Sequence, residues 1–312
     1  MKSERLLIDM NNMDIAKVDL NLLKVFEALY EEESASRAAI RLHLTQSAVS
    51  AALARLRALY GERLFQRTGH GLAPTPLASQ LKPVVTEALN RCRQSLTMVS
   101  PDTGSYEGRS VIIGLSDDFE IAIGSRLIAI MAQRAPKLRL IFRQTHSQIV
   151  SNALMERQID IAIASGGFSS RALSHEWVGE GEYACLVDPE FHHEDEPMDL
   201  ARFVASDHIL ISSGGFIGIV DEALAAAGLK RNITAATTHF AALPYLLKGS
   251  PAIATIPAHA ARAIVGSGGL RMLPCPVDLS RYPIEVGWRT TGSFDKIEIK
   301  IKGAIAECFR RR

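Results

Sequence analysis

The feature that most restricts this chain is a change of periodicity near residue 100. Upstream, apolar residues recur at helical spacing. Asp19 is a good N-cap, and Leu20, Leu23, Phe26 and Tyr30 follow it on one face. Ser34 or Ser36 caps a second short helix through Ala38, Ala39 and Leu42, and Thr45 caps a third carrying Val49, Leu53, Leu56 and Leu59. Gly61 stands where that helix should end. Downstream the pattern becomes short β-branched runs at 110–115, 137–142, 160–164, 184–187, 208–211, 253–256 and 284–288, several separated by helical stretches such as 121–134 and 219–227. Strands alternating with helices imply an α/β region with largely parallel sheets. Residues 100–109, with Pro101, Gly104 and Gly108, read as the linker between the two textures.

A length of 312 residues suits two or three domains, and 47% hydrophobic with 22% charged residues excludes disorder as the ground state. The net charge of +1 conceals a local imbalance. Between residues 36 and 93 nine basic side chains face only Glu62 and Glu87. A basic segment of this kind is either the footprint of a polyanion or the solvated face of long helices. No apolar run approaches the roughly 18 residues that span a bilayer. The first residues lack the long apolar core and cleavage site of a signal peptide, so a cytoplasmic location is expected.

The helical order decides between the two meanings of the basic segment. Two short helices joined by a tight turn, the second capped by Thr45, read as a helix-turn-helix. In that unit the N-terminal end of the second helix enters the major groove of double-stranded DNA. The residues after it, from Arg63 to Leu72, contain two β-capable pieces around Gly69, His70 and Gly71, which read as a hairpin wing. Thr75 followed by Pro76 starts another helix, expected to run to about Val99 with a kink at Pro83. Leu81, Val85, Ala88, Cys92, Leu96 and Val99 recur on it like a coiled-coil seam. That seam suits dimerisation or packing against its own domain.

The run Ala38-Ala39-Ile40-Arg41-Leu42-His43-Leu44-Thr45-Gln46-Ser47-Ala48-Val49-Ser50, continued by Leu53, Leu56 and Arg57, resembles the N-terminal signature of LysR-type transcriptional regulators. Gly61-Glu62-Arg63-Leu64-Phe65-Gln66-Arg67 and Leu72-Ala73-Pro74-Thr75 extend the likeness. The opening Val18-Asp19-Leu20-Asn21-Leu22-Leu23 is similar to the branch holding nodulation and aromatic-catabolism regulators. The match is specific over residues 18–80 and weaker but collinear beyond. It implies a winged helix-turn-helix over 18–75, a linker and dimerisation helix over 76–99, and a two-lobed, periplasmic-binding-protein-like effector domain over 110–312. Lobe I is expected at 110–164 and 270–312, and lobe II at 165–269.

The chemistry of the third helix agrees. The Gln46 amide can read an adenine edge, and Ser47 and Ser50 can donate to bases or phosphates. Thr45 sits at a helix N-terminus that attracts phosphate. Arg55 and Arg57, further along, suit phosphate contacts, and Arg67 on the wing can reach the backbone or minor groove. Simple helix capping is the competing role for Gln46 and Ser47. Many family members carry Arg after the serine matching Ser50. Here Ala51 stands there, which implies a different operator.

In the C-terminal region the resemblance implies a small-molecule effector, an organic or aromatic acid being the candidate class. Ser116 and Asp117 follow the first strand and Thr145 the second. Ser165 stands at the lobe crossover, and Ser213 and Thr238 open later loops. All lie at strand ends, where α/β ligands bind. Asp117 and Asp118 argue against an anion, since both would repel it; capping of the next helix is their competing role. No G-x-S-x-G, Walker or H-E-x-x-H motif is present, so neither catalysis nor a cofactor is expected. His192-His193, among Glu190, Glu194, Asp195 and Glu196, read as a solvated loop rather than a metal site. The cysteines, Cys92, Cys185, Cys275 and Cys308, have no metal-ligand spacing and read as inert hydrophobes. The reading is a regulator acting as a homodimer or homotetramer, with no membrane partner. A redox sensor using Cys185 or Cys275 on the same scaffold and a solute-binding protein are the alternatives.

Overall fold

The computed structural model describes residues 18–69, 71–97, 109–193, 198–212, 214–290 and 296–310, together with Ile15 and Tyr106; in the helix that ends at Thr97, the side chains of residues 93, 94, 96 and 97 are not described. The chain divides into two compact units, residues 1–104 and 105–312.

The first unit opens with three helices: α1 (Asn21–Glu32), α2 (Ala35–Leu42) and α3 (Gln46–Tyr60). Local chemistry sets their limits. Ser34 accepts the Arg37 N–H at the start of α2, and Thr45 accepts the Ala48 N–H at the start of α3. Gly61 ends α3 in the left-handed conformation at φ 71°. The first expected cap differs. Asp19 accepts the Asn21 N–H at 3.0 Å from one position upstream, while Leu20 is the N-cap and makes no side-chain bond. Phe26, Leu29, Val49 and Leu56 form the core of the three helices.

The wing is an antiparallel pair, β1 (Phe65–Thr68) and β2 (Gly71–Pro74). It is fastened to the turn after α1: the Leu72 N–H donates to the Glu33 carbonyl at 2.8 Å. Gly71 has φ 145°, and a Cβ there would lie 2.5 Å from the same carbonyl oxygen. Helix α4 (Pro76–Thr97) follows, begun by Thr75, which accepts the Ala78 N–H. It runs through Pro83. The expected seam is divided between two faces. Leu81, Val85 and Leu89 pack into the core of the first unit, whereas Val84, Ala88 and Cys92 are exposed. Residue 99 and the side chain of residue 96 lie outside the described residues, as does nearly all of the expected linker.

The second unit holds two lobes. Lobe I is a five-stranded sheet of order β4-β3-β5-β12-β6, built from β3 (Ser110–Leu115), β4 (Arg139–Gln144), β5 (Ile161–Ala164), β6 (Leu173–Gly181) and β12 (Tyr282–Arg289). Strands β3, β4 and β5 are parallel, so their C-terminal ends share one edge. Helices α5 (Asp117–Arg134) and α11 (Lys296–Phe309) pack on the core of this sheet through Phe119, Ile123, Leu127, Ile301 and Ile305, and α6 (Val150–Met155) belongs to a smaller cluster with Ile159 and Phe168.

Lobe II carries a three-stranded antiparallel sheet, β10 (Ala254–Pro257), β7 (Tyr183–Val187) and β11 (Arg271–Pro274), in that order. Beside it lies the parallel pair β8 (Asp207–Ile211) and β9 (Asn232–Thr237). Helices α7 (Leu200–Ala205), α8 (Ile219–Ala226), α9 (Leu243–Leu247) and α10 (Ala258–Gly268) complete it.

Two expectations need correction. The sheets are mixed rather than largely parallel, because β12 pairs antiparallel with both β5 and β6 and all of the β7 sheet is antiparallel. The lobe boundaries also move. Strand β6 completes the lobe I sheet and β11 belongs to lobe II, so the chain crosses between lobes at Gly181–Tyr183 and again at 275–281 rather than at 164–165 and 269–270. The reason is edge pairing, which hydrogen-bonds β6 to β12 across about 100 residues of sequence.

Candidate functional site

The helix-turn-helix presents one outward face. Along α3, Val49, Ala52 and Leu56 are buried, and Gln46, Ser47, Ser50, Ala51 and Arg57 are exposed. The Thr45 hydroxyl lies 3.0 Å from that of Ser47 while capping Ala48, so Thr45 is held in the cap. Gln46 is the first residue of α3 and is exposed. Arg55 is exposed and pairs with Asp19 at 3.2 Å. Such an exposed pair is weak and exchanges readily for a phosphate. Arg67 is exposed on β1 of the wing.

The unit is braced from behind. Glu31 on α1 holds Lys82 of α4 at 2.8 Å and Arg41 of α2 at 2.6 Å. Burial pushes the Glu31 carboxyl up, but the two cations outweigh it and hold the group below its ordinary range. The helix that leaves the unit is thereby tied to the helix-turn-helix.

In the second unit the sequence-derived positions gather at strand ends. Ser116, Thr145 and Ser165 directly follow the C-terminal ends of β3, β4 and β5. Thr238 directly follows β9, next to β8, whose end is tied to it by the Ser212 N–H donating to the Thr237 carbonyl at 2.9 Å. Ser213 lies outside the described residues. The two lobes meet here. Asp117 Oδ2 accepts the N–H groups of Phe240 and Ala241, at 2.7 and 3.4 Å, across from lobe II. That places the start of α5 beside the loop that carries Thr238.

Two polar atoms at this edge are enclosed and unanswered. Thr145 is 1% exposed, and its Oγ1 finds no hydrogen-bond partner; neither does Asp117 Oδ1. Buried polar atoms without partners are uncommon and mark places where a ligand or water completes the bonding. Thr145 therefore stands at the strand edge, enclosed rather than exposed. Ser165, by contrast, is exposed.

Ser116 does not point its hydroxyl at a ligand. It donates to Asp118 Oδ1, and Asp118 Oδ2 lies 2.9 Å from His259 Nε2 on α10. The Phe119 ring stacks on His259 at 4.8 Å. Sequence reading missed this tie between the lobes. Its partners are 141 residues apart, and no local pattern announces such a pair. Three of the four carboxylate oxygens of Asp117 and Asp118 are hydrogen-bonded within the protein, by backbone N–H groups, Ser116 and His259; Asp117 Oδ1 is the exception.

The loop at His192-His193 departs from the solvated reading. His192 is not solvated but 4% exposed, with Nε2 held 2.8 Å from the Pro251 carbonyl. Among the described residues no group of three or more His, Cys, Asp or Glu is placed to hold a metal ion, and no helix is long and apolar enough to cross a membrane.

Comparison with known proteins gives two family matches. Residues 105–293 match the LysR substrate binding domain, and residues 20–79 match the bacterial regulatory helix-turn-helix protein, lysR family. The HTH-type transcriptional activator NahR of Pseudomonas putida is 31% identical over 304 residues, covering 95% of this chain and 99% of that protein. Nodulation protein D 3 of Mesorhizobium japonicum is 28% identical over 284 residues, covering 90% and 94%. A crystal structure of a probable transcriptional regulator from Pseudomonas aeruginosa superposes with a TM-score of 0.73 at 26% identity, covering 92% of this chain and 97% of that one.

Proposed function

The chain belongs to the LysR family of DNA-binding transcriptional regulators with an effector-binding domain, and on that premise we propose how its residues divide the work. Gln46, Ser47 and Ser50 read bases from the first turns of α3, while Thr45, Arg55, Arg57 and Arg67 fix the unit on the phosphate backbone. The observation that carries this division is the single exposed polar face at the start of α3, backed by a buried apolar one. Base contacts specify the sequence and phosphate contacts position the protein.

The effector is a small organic acid, aromatic by analogy with the branch that the sequence resembles. Thr145, Ser116 and Asp117 stand around its place at the lobe I edge, with Ser165 beside them and Thr238 on the lobe II side; Ser213, the remaining candidate, lies outside the described residues. The enclosed, unpartnered Thr145 hydroxyl supports this reading, and both oxygens of Asp118 and one of Asp117 are already hydrogen-bonded within the protein. Two of the relatives are named activators, which favours activation as the sense of the response. The protein works in the cytoplasm as a homodimer or homotetramer, pairing through the outer strip of α4 at Val84, Ala88 and Cys92. The linker helix and domain limits of 76–99 and 110–312 serve this arrangement.

The test couples both halves. Footprinting locates the operator upstream of a neighbouring gene, and a thermal-shift panel of aromatic carboxylates finds the effector. A ligand that raises the melting temperature and alters the footprint supports the reading. Stabilisation by cations alone would reject the acid.

A further inference from the structure

Cys185 and Cys275 are 90 residues apart in sequence but meet in the fold. Cys185 stands on β7 directly opposite Leu273 of β11, and Cys275 lies two positions beyond Leu273, just after the strand ends at Pro274. Both side chains belong to one packed cluster, Cys275 against its edge. They differ in access. Cys185 is fully buried among Val187, Phe203, Val220 and Ile253, with Thr255 Oγ1 at 3.8 Å. Cys275 is partly exposed and lines an open cavity of about 370 Å³ with Tyr183, Val277, Asp278 and Arg281.

We propose that Cys275 and Cys185 form a peroxide-sensitive pair, Cys275 attacking the oxidant and Cys185 closing a reversible disulfide. The surroundings fit these roles. The neighbouring Cys185 thiol draws the Cys275 thiol below its ordinary pKa, helped against burial by the Val277 N–H and the positive charge of Arg231. The same contact, with burial, keeps Cys185 protonated. In the first step the Cys275 thiolate attacks one oxygen of a hydroperoxide. The O–O bond breaks, and the departing oxygen leaves as alcohol or water after taking a proton. In the second, the Cys185 sulfur attacks the sulfenic sulfur of Cys275. The S–O bond breaks, hydroxide leaves with the Cys185 proton as water, and the S–S bond forms. Two thiols supply the two electrons that reduce the peroxide. A thiol reductant reverses the reaction.

The position gives the bond a consequence. Cys275 begins one crossover between the lobes, and β7 begins immediately after the other, at Glu182. A disulfide would fasten the start of the Cys275 crossover to the lobe II sheet.

The experiment uses the full chain, reduced, treated with hydrogen peroxide, alkylated and mapped by mass spectrometry without reduction. A linked Cys185–Cys275 peptide that dithiothreitol abolishes is expected. In the Cys185→Ala variant the second step is blocked, and dimedone should label Cys275. Iodoacetamide on the untreated protein gives a measurement independent of any variant. At pH 7.5 Cys275 should react about tenfold or more faster than Cys308, whose thiol burial pushes up to about 11. A peptide map in which Cys92 or Cys308 oxidises while Cys185 and Cys275 stay reduced overturns the proposal. So does a Cys275 no more reactive than Cys308.

Discussion

The two units recognise their targets in opposite ways. Most of the DNA-facing candidates lie between residues 45 and 57 around one helix, and all are exposed. The effector candidates follow strand ends scattered from residue 116 to residue 238, and Thr145 among them is wholly enclosed. A duplex is large and arrives from outside, so a single rigid face suffices. A small molecule must be surrounded, which takes walls from several elements. The first kind of site is therefore contiguous in sequence and the second is assembled by folding.

The widest separation between the units should come from Val85→Asp. Val85 is 4% exposed in the core of the first unit, and an unpaired charge there costs about 3–5 kcal/mol. DNA binding and the first unit's unfolding transition should be lost while the second unit melts as before. Val84→Asp, one residue away and exposed, should leave the first unit folded and weaken only self-association in light scattering. Joint collapse of both units in Val85→Asp would break the comparison.

Acid should separate them in the other order. His208 is fully buried in lobe II, with Nε2 donating to the Phe203 carbonyl at 2.7 Å, and burial holds its pKa down to about 4. An unfolded histidine titrates near 6.5, so the neutral ring favours the fold above that pH. The contribution, roughly 3 kcal/mol, is lost as pH falls from about 6.5 towards 4. The first unit's Glu31 network, depressed relative to an ordinary carboxylate, is lost only at lower pH. Calorimetry at pH 7 and pH 5 should show the second unit losing more. Equal losses, or an unchanged difference in His208→Gln, would remove His208 as the cause.

On DNA, Gln46→Ala should cost about 1–3 kcal/mol on the operator and little on random duplex. An equal loss on both in gel-shift titrations would make Gln46 a phosphate contact. The smallest effect is expected at Thr145→Val. It removes an enclosed hydroxyl that has no protein partner, so stability should hold or rise slightly. The effector response should weaken by about 0.5–1.5 kcal/mol, roughly two- to tenfold in a reporter titration. A fall in melting temperature would show that the hydroxyl serves the fold and not the ligand.

What could be read in the sequence follows the same divide. The caps at Thr45 and Thr75 and the stop at Gly61 are local chemistry, and each was legible, while for the second helix the sequence left Ser34 and Ser36 as alternatives. The seam on α4 was legible as apolar but not as to its partner, because a stripe facing its own domain and one facing a second copy have nearly the same spacing. Strand β6 was hidden by its own exposure: it is an edge, so His175, Glu176 and Trp177 face water and the alternation is lost. Ser116 and Thr145 could be placed because strand ends are local. The Asp118–His259 tie could not, since it exists only once α5 and α10 have packed.

The Gly71–Glu33 contact reaches beyond stability. With a backbone N–H on the Glu33 carbonyl and no room for a Cβ, the wing and the turn after α1 form one bracket. The hairpin cannot be re-aimed without dislodging the helix pair behind it. A change in the DNA that this unit prefers is then expected to come from exchanging side chains on α3 rather than from re-aiming the wing.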